Sequence, residues 1–191
     1  MEQHLGIPLS SPLFVVTYHP ETRSPLPAEE QIERLLLALD RFPSAAMVFT
    51  GANADTDGRI INVRMIEFCA LSPQKRGFVQ SLGRRRYWGM LSIADAIIGN
   101  SSSGITEAPF IGVPVVNIGA RQQGRIRGDL VIDCPCEVEG LELAIQKVLT
   151  CGRRSFKRKL ASFRPAKSIC AHLKNASFEK VKRFYDIQWT E

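Results

Sequence analysis

The sequence predicts an α/β fold with a Rossmann-like, doubly wound parallel sheet. Short β-rich runs alternate with helical patterns almost throughout the chain, and this alternation is typical of βαβ units. Several runs are continuously apolar, as strands buried on both faces of a parallel sheet usually are. With 191 residues, 45% of them hydrophobic, the chain is expected to form one domain over residues 1–191.

The individual elements follow from local patterns. The first predicted strand covers residues 13–17, and a helix begins near Pro27, with apolar residues at helical spacing from Ile32 to Leu39. The other predicted strands are 46–50, 78–82, 96–98, 113–118 and 130–133. Further helices are predicted around 60–68 and 87–94, after residue 137, and from about 169 to 187.

The charge of the chain favours an anionic partner, since the net charge is +6. Basic residues concentrate at 84–86 and 153–159, but neither run alternates with aromatic residues as in single-strand nucleic-acid platforms. Solvated helix faces explain both runs, and a small anionic ligand explains the net charge as well as a polymer would. No nucleic-acid partner is therefore expected.

Membrane, disulfide and metal functions are not indicated. The chain has no apolar run of about 18 residues, and its first residues lack signal-peptide features, so a cytoplasmic location and no membrane partner are expected. The five cysteines are an odd number, which disfavours a disulfide framework. Cys134 and Cys136 have C-x-C spacing with too few companions for a zinc site, so no metal and no cofactor are expected.

The strongest candidate for binding is the segment 97–104, where a strand enters a small-residue turn and then a short helix. Gly99 and Gly104 allow the backbone to approach a ligand, and the serine hydroxyls and helix amides supply donors. This arrangement suits a diphosphate at the carboxyl end of a parallel strand. The alternative is an ordinary serine helix cap.

Two charged residues follow this turn. Glu107 lies three residues after Gly104, where a carboxylate could accept both hydroxyls of a ribose, although it could also simply favour a helix N-terminus. Pro109 should keep the helix short or kinked. Arg121 follows the strand 113–118, with Arg125 and Arg127 close behind, and guanidinium groups bind phosphate in a fixed fork; the alternative is a surface loop with stray arginines.

Two earlier loops hold weaker candidates. His19 ends the first strand beside Pro20, where a histidine often does no more than cap a turn. Asn53 and Asp55 occupy the corresponding loop after the second strand, where turn formation is again the usual reason for such residues.

Taken together, these residues resemble UDP-N-acetylglucosamine 2-epimerases, and more narrowly the hydrolysing, N-acetylmannosamine-forming branch. The motifs that carry the resemblance are GNSSSGITEAP, GVPVVNIGARQQGR, VTYHPET, FTGANAD and SLGRRRYWGML. The resemblance runs from about Leu13 to the FYD at 184–186, but it covers only the second half of the family's protein. That family has two Rossmann-like domains facing across a cleft, the GT-B architecture, and the nucleotide binds mainly to the second.

The resemblance implies roles for individual residues. It makes Ser101 and Ser102 phosphate ligands, Glu107 the ribose ligand and Arg121 a further diphosphate contact. UDP-sugar is thus the expected substrate. The expected partners are an N-terminal Rossmann-like domain that this chain lacks, against which the last helix would pack, and a second copy of the chain, since the family is commonly dimeric.

The remaining roles concern the reaction and the binding of the nucleobase. His19 would help the leaving group depart, Asn53 would line the nucleotide pocket, and the backbone near Leu82 would meet the uracil. In the implied mechanism a proton leaves C2 of the sugar while UDP departs from C1, and water adds to the resulting glycal. The sequence offers no convincing base for C2, so the isolated chain is expected to be inactive.

Other functions stay open at this point. A GT-B glycosyltransferase often shares a Gly/Ser turn and a ribose glutamate, although NIGARQQGR favours the epimerase. Related epimerases accept UDP-linked diacetamido-trideoxy sugars. A non-catalytic UDP-sugar sensor or an inert fragment is the third alternative.

Overall fold

The structure is a computed structural model that describes residues 2–54, 57–153 and 164–177. It divides into two compact units, Met1–Phe156 and Lys157–Glu191. The first unit holds the sheet, and the described part of the second is one helix. Within the described ranges no helix has both the length and the apolar character needed to cross a membrane.

The first unit contains one sheet of six parallel strands in the order β3-β2-β1-β4-β5-β6. The strands are β1 Leu13–Thr17, β2 Ala46–Thr50, β3 Arg76–Val79, β4 Ala96–Gly99, β5 Val115–Ile118 and β6 Val131–Cys134. This is the doubly wound Rossmann order, so the predicted fold class is confirmed. From β1 to β3 the strands are added on one side of β1, and from β4 to β6 they are added on its other side. The switch point therefore lies between β1 and β4, where such folds bind their ligands.

Helices connect the strands. They are α1 Glu2–Leu5, α2 Ala28–Asp40, α3 Gly58–Ala70, α4 Gly83–Ile93, α5 Ser103–Thr106, α6 Ala108–Ile111 and α7 Val138–Cys151, followed in the second unit by α8 Pro165–Asn175. The apolar stripe of α2 is fully buried at Ile32, Leu35 and Leu39, as its spacing predicts.

The core lies on both faces of the sheet, because successive strand residues point to opposite sides. Phe14 and Val16 pack into one cluster with α2, α3 and α7, whereas Leu13 and Val15 pack into the other with α4. All four side chains are at most 1% exposed. Burial on both faces explains why this strand is continuously apolar.

The third strand differs from its prediction. It begins at Arg76 rather than at residue 78 and ends at Val79, while Leu82 precedes α4. Arg76 is buried although it is charged, because its guanidinium lies 3.8 Å from the centre of the Phe68 ring and pairs with Asp40. Contacts that no local pattern reveals therefore allow a charged residue to be the first residue of this strand.

Two helix boundaries also differ. The helix predicted at 87–94 begins earlier, at Gly83, and the last helix begins at Pro165 rather than near residue 169. Proline is well suited to a first helical turn. The predicted continuation of the last helix from 178 to 187 lies outside the described residues.

Candidate functional site

A cleft of about 370 Å³ opens beside the carboxyl ends of β1, β2 and β4, and we call it the serine cleft. Four of the residues predicted from the sequence line it, namely Leu82, Ser101, Ser102 and Glu107. They come from the start of α4 and from the segment that follows β4. The residues that are expected to bind uracil, phosphate and ribose therefore lie around one opening in the structure.

Gly99 makes this geometry achievable at the end of β4. Its φ of +139° is a conformation that residues with side chains rarely adopt, and a Cβ atom there would overlap the carbonyl oxygen of Thr17. The next residue, Asn100, donates its N–H to that carbonyl at 3.2 Å. The end of β4 is thus held directly against the end of β1.

The predicted short helix is divided into two single turns. Glu107 lies between α5 and α6, each of four residues, and Pro109 follows at the start of α6. The expectation that Pro109 keeps this helix short is confirmed. Because helix dipoles sum over aligned peptides, one turn supplies little field, so phosphate binding here would depend on individual hydroxyls and amides.

Several hydroxyl groups in the cleft were not singled out by the sequence. Thr17 and Thr50 are the last residues of β1 and β2, are paired in register, and share a hydrogen bond of 2.5 Å. Tyr87 on α4 is hydrogen-bonded through its hydroxyl to Ser103 Oγ at 2.6 Å. A threonine at the end of each of two neighbouring strands is a signal that could have identified the first pair.

Tyr87 stays protonated in this setting. Burial raises the pKa of its hydroxyl, and the nearby negative charge of Glu107 raises that pKa further, against a lowering by hydrogen bonds to Ser103 and Thr17. A neutral phenol has one proton to donate, so Tyr87 is able to act as a hydrogen-bond donor in the cleft.

Asn100 connects three loops of the site. It is completely buried, and its side-chain amide exchanges two hydrogen bonds with the backbone of His19. Its own carbonyl accepts from Gln122 Nε2 at 2.8 Å and from Arg121 Nη1 at 3.3 Å. The loops after β1, β4 and β5 are therefore joined at one residue.

The ring of His19 is oriented by the loop after β2. The backbone N–H of Asn53 donates to His19 Nδ1 at 3.0 Å. When the ring is neutral, its proton is consequently on Nε2. The sequence patterns identified His19 and Asn53 as candidates in two different loops, and in the structure the two residues are in direct contact.

Arg121 and Asn53 do not line the serine cleft. The exposed Arg121 borders a separate depression of about 760 Å³, together with Glu21 and Arg23. Asn53 borders another, of about 440 Å³, together with Asn62. Leu82, Ser101, Ser102 and Glu107 thus line one depression, while Arg121 and Asn53 each line another. Asp55 lies outside the described residues.

The contacts of Arg127 hold the loop after β5 in place, and its guanidinium does not face an open binding surface. Its guanidinium pairs with the Asp133 carboxylate at 2.7 Å and donates to the Gln122 carbonyl at 3.1 Å. Asp133 also accepts a hydrogen bond from the buried Asn117 at 2.6 Å. The loop that carries Arg121 is therefore fixed to β5 and β6.

Among the described residues, no group of three or more histidine, cysteine or acidic side chains could hold a metal ion. The five cysteines, all in the described part, are free thiols.

The strand order and the cleft beside its switch point place the chain in the class of Rossmann-like α/β folds. A family model described as UDP-N-acetylglucosamine 2-epimerase matches residues 2–171. The chain belongs to this family.

Two curated relatives show how far the similarity extends. A GDP/UDP-N,N'-diacetylbacillosamine 2-epimerase (hydrolyzing) from Campylobacter jejuni is 36% identical over 98% of this chain and 50% of its own length. A polysialic acid biosynthesis protein from Escherichia coli is 34% identical over 91% of this chain and 46% of its own length. The chain thus spans about half the length of these relatives.

Solved structures support the fold. UDP-GlcNAc 2-epimerase from Methanocaldococcus jannaschii, in complex with UDP-GlcNAc and UDP, superposes with a TM-score of 0.66 at 16% identity, over 86% of this chain and 45% of that one. The enzyme from Neisseria meningitidis bound to UDP-GlcNAc gives 0.64 at 13% identity, over 87% and 45%.

Proposed function

We propose that this chain is the UDP-binding half of a hydrolysing UDP-sugar 2-epimerase. The observation that carries the proposal is that Ser101, Ser102 and Glu107 line one cleft at the switch point of the sheet, in a member of this family. The half of the family's protein that it represents is the C-terminal one. Family membership favours an epimerase over a glycosyltransferase.

In this proposal, serine hydroxyls bind the phosphates of the nucleotide and a carboxylate binds its ribose. Ser101 and Ser102 donate to the phosphate oxygens, Glu107 accepts the two ribose hydroxyls, and the backbone at Leu82 meets the uracil. Arg121 contacts the diphosphate from the neighbouring depression, where a guanidinium offers a fixed pair of donors.

The reaction needs the charge on departing UDP to be neutralised. His19 donates a proton or hydrogen bond from Nε2 to the leaving group, and Asn53 holds the ring in that tautomer through its backbone N–H. Removal of the C2 proton requires a positioned base. We assign that base to the N-terminal domain, so we expect this chain alone to release no free sugar.

The substrate is a UDP-linked 2-acetamido sugar. UDP-N-acetylglucosamine, giving N-acetylmannosamine for sialic-acid synthesis, is our first candidate, and the similarity to a polysialic acid biosynthesis protein supports it. A UDP-diacetamido-trideoxy sugar is the second, supported by the similarity to a diacetylbacillosamine epimerase.

The nucleotide site is tested by calorimetry of the chain with UDP and with 2′-deoxy-UDP. The wild type should prefer UDP, and Glu107→Ala should remove most of that preference, because the carboxylate no longer accepts the 2′-hydroxyl. Glu67→Ala is a matched control, since Glu67 is an exposed helical glutamate whose partner is Arg64. Absence of heat with millimolar UDP, on folded protein, would overturn the proposal.

A further inference from the structure

Three hydroxyl groups in the serine cleft form a chain, which we call the hydroxyl chain: Tyr87, Ser103 and Ser101. Tyr87 Oη lies 2.6 Å from Ser103 Oγ, and Ser103 Oγ donates to Ser101 Oγ at 3.1 Å. Ser103 is buried, whereas the other two are partly accessible. All three line the cleft.

The direction of this chain is fixed by counting protons. Each hydroxyl has one proton to donate. Ser103 gives its proton to Ser101, so the proton in the short contact between Tyr87 and Ser103 must come from Tyr87. The chain therefore runs from α4 toward the turn after β4.

Ser101 stands at the receiving end. Its Oγ accepts from the hydroxyl of Ser103 and, at 3.4 Å, from the backbone N–H of Ser103. With both acceptor positions occupied, the group can add only a donated hydrogen bond. Among the described residues no acceptor for that proton is recorded.

We infer that Tyr87 is a positioning residue that makes Ser101 a committed donor to a phosphate oxygen in the serine cleft. The inference rests on the proposed function. It extends that function by giving Tyr87, a residue of α4, a part in phosphate binding. Tyr87 acts through the hydroxyls of Ser103 and Ser101 and does not contact the phosphate itself. An anionic oxygen is the acceptor that gains most from a chain of donors that polarise one another.

The test compares UDP with uridine, which has the same base and ribose but no phosphate. Tyr87→Phe keeps the ring and removes the hydroxyl, and with it the proton donated to Ser103 and the hydrogen bond to Thr17, so Ser103 and Ser101 can reorient. Binding of UDP, measured by calorimetry, should weaken by about tenfold, the loss expected for a hydrogen bond to a charged group. Binding of uridine, measured by NMR titration, should not change.

A double-mutant cycle tests the chain itself. Ser103→Ala should weaken UDP binding to a similar extent, and the double variant should lose no more than either single one, because both interrupt the same chain. Ser102→Ala is the control, since Ser102 lines the cleft outside the chain, and its loss should add to that of Tyr87→Phe.

The outcomes separate the two proposals. If the folded wild type binds no UDP, the proposed function and this inference both fail. If it binds UDP but Tyr87→Phe binds UDP equally well, the inference alone fails. It also fails if Tyr87→Phe weakens uridine as much as UDP, or if the effects of Tyr87→Phe and Ser103→Ala add.

Discussion

The side-chain amide of Asn100 forms two hydrogen bonds with the backbone of His19: Oδ1 accepts from the N–H at 2.8 Å, and Nδ2 donates to the carbonyl at 2.8 Å. Asn100 is completely buried. An amide is the side chain that can satisfy a backbone N–H and a carbonyl together at this size. The position of the His19 ring therefore depends on the residue just before the serine turn.

Asn100→Asp should destabilise the fold and weaken UDP binding. The substitution keeps the shape but replaces the donor to the His19 carbonyl with a buried carboxylate oxygen. We expect a loss of about 2–3 kcal/mol in the free energy of unfolding, measured by urea denaturation. UDP affinity should fall as the loops after β1 and β4 separate.

Asn62→Asp is the matched control. Asn62 Oδ1 accepts from the Ala52 N–H at 2.7 Å, and an aspartate retains that acceptor. Its cost should be below about 1 kcal/mol, since Asn62 Nδ2 donates to none of the described residues. Equal stability of the Asn100→Asp and wild-type proteins would contradict the coupling between Asn100 and His19.

Arg127→Ala should weaken UDP binding without removing a UDP contact. Arg127 is 26% exposed and links Asp133 to the Gln122 carbonyl, so its loss frees the loop that carries Arg121. We expect UDP affinity to fall about fivefold, equivalent to about 1 kcal/mol, in calorimetry. Arg125→Ala, at an exposed position in the same loop, should have a smaller effect; the reverse order would argue against this role.

How much of this site could be predicted depends on how local each interaction is. The strands at 13–17 and 46–50 were predicted with correct bounds, because the mostly apolar sequence of each strand indicates burial on both faces of the sheet. The serine turn and Glu107 are close in sequence, so their proximity is also local. The contact of Tyr87 with Ser103 and that of Arg121 with Asn100 join different βα units, and only the packed sheet brings them together.

Cys69 should make the stability of the fold depend on alkaline pH. Burial raises the pKa of its thiol from 9.0 to about 12, although Arg76 acts in the opposite direction. Below pH 9 the thiol is neutral in both states, so its contribution to stability is fully present there. Between pH 9 and about 12 only the unfolded state ionises, and stability is lost as the pH rises.

Cys69→Ala should therefore show a smaller loss of stability over this pH range than the wild type, measured by urea denaturation at several pH values. Cys151→Ala, at an exposed position, should behave as the wild type. Parallel curves for Cys69→Ala and the wild type would show that this thiol does not contribute.

Gly99→Ala tests whether the end of β4 must approach β1 as closely as it does. A Cβ at this position would overlap the Thr17 carbonyl oxygen, and the backbone has a φ of +139°. The atom cannot be accommodated unless the strands move apart, and the conformation is strained for any residue that has a side chain, so we expect a loss of about 3 kcal/mol or more in the free energy of unfolding. Because the displaced strand leads into the serine turn, UDP affinity should fall as well, even at temperatures where the variant remains folded.

Gly89→Ala provides the contrast for Gly99→Ala. Gly89 is in the middle of α4, and a Cβ there would meet no atom within 4 Å. Alanine should stabilise this helix by about 0.5–1 kcal/mol, because it restricts the unfolded chain and favours helix. If both alanine variants had the same stability, the cost at Gly99 would not come from the close approach of β4 to β1, and the serine turn would tolerate more movement than its hydrogen bonds indicate.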